Sequence, residues 1–186
     1  MDTNLLLINI LLFFFLPLWI IAGLVDWYCH RKTSIETTSG VFESFLHSLM
    51  GVQIAIPILL CLLFEVSVGI ILICIFAWLL HEVIAHLDVR YATTKREISI
   101  LEMHAHSYLS TLPLYMLVMI LVLNWEIVLQ LVSLNWEGAF EFHLHQEPLG
   151  SENYLLYFLI FKLTFGVFPY IEELIRCLNA KFKYKV

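Results

Sequence analysis

His81–Ser107, HEVIAHLDVRYATTKREISILEMHAHS, is a long polar run in an otherwise apolar chain. It lies between two apolar segments and holds His81, His86, His104 and His106 together with Arg90, Lys95 and Arg96. Polar residues flanked on both sides by hydrocarbon-rich sequence read as the junction between two membrane spans. Inside it, Glu82 precedes His86 and Glu102 precedes His106 by four residues, which on a helix stacks a carboxylate over an imidazole on one face.

Working outward, the composition agrees. Of 186 residues, 61% are hydrophobic and only 14% charged, with a mean hydropathy of +0.86, outside the usual range of a soluble domain. The net charge of −6 and the lack of a basic stripe interleaved with aromatics argue against nucleic acid as a partner. Cys29, Cys61, Cys74 and Cys177 form no CxxC pair, so reduced thiols are expected and no disulfide framework. Leu5–Val25 is preceded by Asp2 and not by a basic region. It is also longer than the apolar core of a signal peptide, and reads as a retained helix.

The expected fold is all-α: a single polytopic membrane domain, 1–186, with five transmembrane helices near 4–30, 41–64, 66–88, 102–123 and 154–178 and an external loop over 124–153. Pro17 is expected to kink the first helix mildly. From His47 to His86 the chain has about 40 residues, roughly 60 Å of helix, or two crossings of a ~30 Å hydrocarbon core. Both histidines therefore belong on the same side. In this topology Arg31, Lys32, Arg90, Lys95, Arg96, Arg176, Lys181, Lys183 and Lys185 also share one side, while 124–153 has no Lys or Arg. The positive-inside rule then places the C-terminus in the cytoplasm and Met1 outside.

Two further pairs at the same spacing, Asp26/His30 and Glu43/His47, fall at the ends of the first two spans. Chance gives about 0.7 carboxylate/His pairs at i,i+4, counting each carboxylate's fourth neighbour against the template; the sequence has five. The fifth, Glu141/His145, lies in the external loop. A single such pair is explained equally well by a helix-end ion pair or cap. Four that converge on one membrane surface point to metal, and imidazole with carboxylate suits iron, manganese or zinc. The expected ligands are Asp26, His30, Glu43, His47, Glu82, His86, Glu102 and His106, enough for two divalent ions, iron favoured, held by four helices of a bundle.

His81, His104, Glu36, Asp88 and Arg90 are candidate outer-shell groups or extra ligands. Glu65 reads as turn chemistry, and His143 and His145 as surface histidines. Glu172 and Glu173 read as solvated residues near the inner end of the last helix, with either within reach of the cluster. Lys162, inside that helix, either snorkels outward or pairs with a buried acid.

The pattern D-W-x-x-H-R, I-E-x-T-S-G-x-x-E-S-x-x-H, H-E-x-x-A-x-x-D-V-R-Y-A and E-x-H-x-H-S, spread from Asp26 to Ser107, resembles a family of small bacterial multi-pass membrane proteins. That resemblance implies the bacterial inner membrane. The logic of the site is also similar to that of the membrane-bound histidine-box hydroxylases and desaturases, whose clusters face the cytoplasm and act on acyl chains. His81-x4-His86 fits a first box, but paired His-His boxes are absent. Interfacial di-iron quinol oxidases are a further analogue with a different ligand spacing. The expected function is a dimetal oxidoreductase of hydroxylase or desaturase type at the cytoplasmic membrane surface. Its substrate would be lipid-like or quinone-like, drawn from the surrounding membrane lipids, with a separate electron donor. The alternatives are a zinc- or manganese-dependent membrane hydrolase and a non-enzymatic metal-binding subunit or transporter.

Overall fold

The computed structural model describes residues 2–136 and 138–184. Glu137 of the outer loop and Lys185 of the basic tail, the latter counted in the charge reading, lie outside the described residues. The described elements are helical apart from one isolated bridge, Phe64 with Leu144. Five helices are long and apolar enough to cross a membrane: α1 Thr3–Lys32, α2 Gly40–Leu63, α3 Val68–Ala92, α4 Ile100–Leu123 and α6 Tyr154–Lys183. A short helix, α5 Trp125–Val132, follows α4 after a break at Asn124. Large apolar side chains such as Phe14, Phe76, Val83 and Phe168 point outward, as hydrocarbon contacts do in a membrane protein.

The spans form a ring in which α1 packs on α4, α4 on α3, α3 on α2, α2 on α6 and α6 on α1. Two of them use the same device to accommodate proline. Leu11–Phe15 before Pro17 and Leu163–Val167 before Pro169 each widen into a π turn, where the expectation for Pro17 was a simple kink. In α1 the Leu16 N–H reaches back to the Leu11 carbonyl, and Pro17 has no N–H to offer. The Tyr154 hydroxyl of α6 donates to the Leu12 carbonyl at 2.7 Å, so a carbonyl left over by the proline is satisfied in an apolar setting.

At the basic end, α3 continues to Ala92, one turn beyond the expected boundary, so Asp88 and Arg90 are helical. The connector to α4 ends in a capping residue: Ser99 Oγ accepts from the Glu102 N–H at 3.2 Å, fixing where the first turn of α4 begins. The connector between α1 and α2 turns at Gly40, whose φ of +69° is readily adopted by glycine. Ser39 before it is held by the Tyr91 hydroxyl, 3.1 Å from its carbonyl. At the opposite end the loop after α5 folds over the α2–α3 turn. The Glu65 N–H donates to the His143 carbonyl at 2.8 Å, the His145 N–H to the Leu63 carbonyl at 3.1 Å and the Gly69 N–H to the Ala139 carbonyl at 2.9 Å.

Candidate metal centre

The ring encloses a cluster of ionisable side chains at its basic end. From α1 come Asp26 and His30, from α2 Glu43 and His47, from α3 Asp88, from α4 Glu102 and His106, and from α6 Glu173. Asp26, His30, Glu43, Asp88, Glu102 and Glu173 are all buried to 1% exposure or less. Each pair spaced i,i+4 lies one turn from a helix end, so its two side chains reach inward at adjacent levels.

His30 occupies the centre. Its Nε2 lies 3.3 Å from Glu102 Oε1, 3.5 Å from Asp26 Oδ1 and 3.8 Å from Glu43 Oε1. Its Nδ1 lies 3.0 Å from Glu173 Oε2. His47 stacks on it, with Nδ1 3.1 Å from the other oxygen of Glu173 and Nε2 3.2 Å from Asp88 Oδ2. His106 Nε2 stands 3.3 Å from Asp26 Oδ1. Two groups converge closely enough to share an ion: Asp26, His30, Glu102 and His106, and His30, Glu43 and His47, with donor atoms within 4.8 Å of one another in each.

Arg96, from the α3–α4 connector, inserts its guanidinium between Glu43 and Glu102. Nη2 lies 2.5 Å from Glu43 Oε1 and also contacts Glu102 Oε1, while Nη1 donates to Glu102 Oε2 at 3.0 Å. Burial works against its charge, but the hydrogen bonds to Glu102 and Glu43 outweigh it, and the arginine pKa is raised above its ordinary value.

The donor set fits a metal ion. Asp26 Oδ1 lies 3.5 Å from His30 Nε2 and 3.3 Å from His106 Nε2, yet all three atoms are buried without a hydrogen-bond partner, as are Glu43 Oε2 and Asp88 Oδ1. Buried polar atoms are normally satisfied. A set of unpartnered lone pairs converging on shared space is what a cation would satisfy. The donors are oxygen and imidazole nitrogen, the hard-to-intermediate set of iron, manganese and zinc.

Six of the eight expected ligands meet here: Asp26, His30, Glu43, His47, Glu102 and His106. Glu82 and His86 stand apart. Glu82 accepts both oxygens' contacts from the Ser110 hydroxyl at 2.9 and 3.1 Å, and His86 is exposed. The inward face of α3 is instead marked by Cys74, Ala77, His81, Asp88 and Ala92, whose spacings of three, four and seven follow the helical repeat. Spacing fixed that Glu82 and His86 share a stripe, and the stripe faces away.

Of the outer candidates, Asp88 contacts His47. His81 is buried deeper in the bundle with neither ring nitrogen partnered. His104 and Arg90 are exposed, and Glu36 pairs with Arg176. The expectation of solvation for both glutamates of α6 is corrected. Glu172 takes part in a network with Arg31 at 2.7 Å, Trp27 Nε1 at 3.1 Å and Arg176 at 3.2 Å, while Glu173 is fully buried between two histidines. The signal was the stripe Pro169, Glu173, Cys177, all buried and four apart. Arg96 was read only as a marker of orientation; its proximity in sequence to Glu102 was the available hint.

Beside the cluster, toward the middle of the spans, lies a small cavity of about 50 Å³ whose lining includes Asp26, His47, His81, His106, Lys162 and Tyr170. Lys162 does not reach a buried acid; its ammonium sits 4.0 Å from the centre of the Trp19 ring, a cation–π contact. The Tyr170 hydroxyl donates to the Gly23 carbonyl at 3.0 Å. No family model, curated protein or solved structure matches the chain.

Proposed function

We propose that this protein is a membrane-embedded dimetal oxidoreductase, with iron favoured, acting on a lipid-like or quinone-like substrate at the cytoplasmic surface of a bacterial inner membrane. The observation that carries the reading is electrostatic. Five buried carboxylates, Asp26, Glu43, Asp88, Glu102 and Glu173, share the cluster with one buried guanidinium, Arg96, which contacts Glu43 and Glu102. With neutral histidines this leaves four negative charges, the charge that two divalent cations neutralise. Uncompensated, each buried carboxylate costs several kcal/mol. Asp26, His30, Glu102 and His106 would hold one ion, and Glu43 and His47, with the shared His30, the other. Glu173, at the Nδ1 of both rings, would orient the imidazoles in the manner of carboxylate–histidine–metal triads.

A pair of iron ions supplies the redox chemistry that carboxylate and imidazole side chains lack. Hydroxylation of a C–H bond there would consume dioxygen as oxidant, two electrons from an external electron donor and two protons, with one oxygen atom entering the product and the other leaving as water. The chain's own residues exclude bulk water from the cluster, hold its ligands and offer the small cavity beside Asp26, His47 and His106 as the face open to reactants. Elemental analysis of protein purified in detergent without chelator tests the reading. Close to two iron per chain is expected. Two zinc ions would replace it with water activation by a hydrolase, and a folded protein without metal would end it.

A further inference from the structure

The half of the bundle away from the cluster holds a second and larger cavity, about 300 Å³, between α1, α2, α3 and α4. That volume is at the lower end of small-molecule sites. Its wall is mostly apolar, with Leu12, Leu16, Ile58, Pro113 and Met116 among its residues and Trp78, whose indole Nε1 has no hydrogen-bond partner, toward the inner end; its amide and imidazole groups are Asn4, Asn124 and His145. Asn4 and Asn124 stand at helix ends and His145 in the loop over the acidic end, so these polar groups gather at one rim. From Asn124 to Pro113 along α4 is about 16 Å at 1.5 Å per residue, room for a medium-length hydrocarbon chain.

The two cavities follow one another along the bundle. On α1 the wall passes from Leu16 in the large cavity to Trp19 and Ile20 in the small one, and on α2 from Ile54 to Gly51 and Met50. On α3 it passes from Trp78 to His81, and on α4 from Pro113 to Leu109 and Ser110. On all four helices the step is about one turn. The inner end of the apolar cavity is therefore directed at the space beside the metal-binding groups.

The rim selects the head of the occupant. Residues 124–153 contain no Lys or Arg and carry Glu126, Glu141, Glu147 and Glu152, so an anionic head meets repulsion and no cation from this loop. Asn124 Nδ2 is committed to the Ile120 carbonyl at 2.8 Å, and His145 Nε2 to the Cys61 carbonyl at 3.2 Å. Asn124 Oδ1 and the other imidazole nitrogen of His145 remain as acceptors, and the Asn4 amide and the second Nδ2 hydrogen of Asn124 as donors, a mixed rim that suits an uncharged hydroxyl head able to donate and accept.

We infer that the large cavity binds the hydrocarbon chain of a neutral, hydroxyl-headed lipid such as a monoacylglycerol, head at the rim and chain tip toward the metal-facing cavity. The site itself stands on the cavity; that the tip is what reacts rests on the dimetal reading above.

Cys61 and Cys74 line this cavity and serve as native reporters. In protein carrying Cys29→Ser and Cys177→Ser, reconstituted in phosphatidylcholine nanodiscs, alkylation by an apolar maleimide is followed with monolaurin or laurate present. At roughly nine times its dissociation constant monolaurin is expected to slow labelling about ten-fold, since only the free site reacts, with laurate much weaker. Met116→Trp, or Ile58→Phe if that variant does not fold, fills the cavity and removes the protection. No protection by either compound overturns the site, and equal or stronger protection by laurate overturns the assigned head. The same assay on His106→Ala separates the two readings: protection retained there with metal lost leaves the lipid site standing, and metal bound without protection leaves only the metal centre.

Discussion

His30 and His47 lie face to face, their ring centres 4.5 Å apart and their planes within 10°, and one carboxylate, Glu173, holds the Nδ1 of each through a different oxygen. The two imidazoles come from different helices, and α6 sets their spacing. At His30 a carboxylate at Nδ1 favours the tautomer with hydrogen there, which leaves Nε2 its lone pair, whereas Nε2 of His47 faces Asp88 at 3.2 Å.

Glu173→Gln keeps the shape of this clamp and removes its charge, so it is expected to weaken metal binding about 10–100-fold. Metal retained after dialysis against graded chelator measures it. Affinity equal to wild type would mean that the clamp does not tune the histidines.

Arg96→Gln leaves Glu43 and Glu102 facing each other without their cation. Removing one partner of a buried ion pair is expected to destabilise metal-free protein by about 3–5 kcal/mol, and metal-loaded protein by clearly less, because bound cations take over the neutralisation. Unfolding curves of both forms check this. An equal loss in both would show that Arg96 acts independently of the metal site.

Substitution separates the members of the cluster from residues that only share their spacing. His106→Ala is expected to lower metal content, whereas His86→Ala and Glu82→Gln leave it unchanged, because His86 is exposed and Glu82 is occupied by Ser110. Elemental analysis of the three purified variants decides the point, and metal lost from His86→Ala would contradict the arrangement.

Tyr154→Phe removes the hydroxyl that serves the Leu12 carbonyl in the widened turn of α1. An unsatisfied buried acceptor costs about 1–3 kcal/mol, so reversible unfolding in mixed micelles should show a loss of that size with metal content unaffected. No measurable change would mean that another donor reaches Leu12.

The spans and half of the centre could be read from local patterns. Hydropathy and the grouping of cations marked the five spans. The i,i+4 rule located Asp26/His30, Glu43/His47 and Glu102/His106, because each pair lies at a helix end on an inward face. The same rule could not say which way α3 is rotated, so it offered Glu82 and His86 where the inward stripe carries His81 and Asp88. For Glu173 the stripe with Pro169 and Cys177 was the local sign, and it could not show the contacts with His30 and His47, which lie 143 and 126 residues away. Its neighbour Glu172 has the same chemistry but points about 100° around the helix, into a surface network.

The position of Glu173 on α6 also bears on the order of biosynthesis. Every other carboxylate and imidazole of the cluster is translated before residue 107, whereas the clamp that aligns His30 and His47 arrives with the last span. A nascent chain that has threaded only α1 to α4 into the bilayer carries the donors without their alignment. In the proposed metal centre, tight loading would therefore wait for insertion of α6.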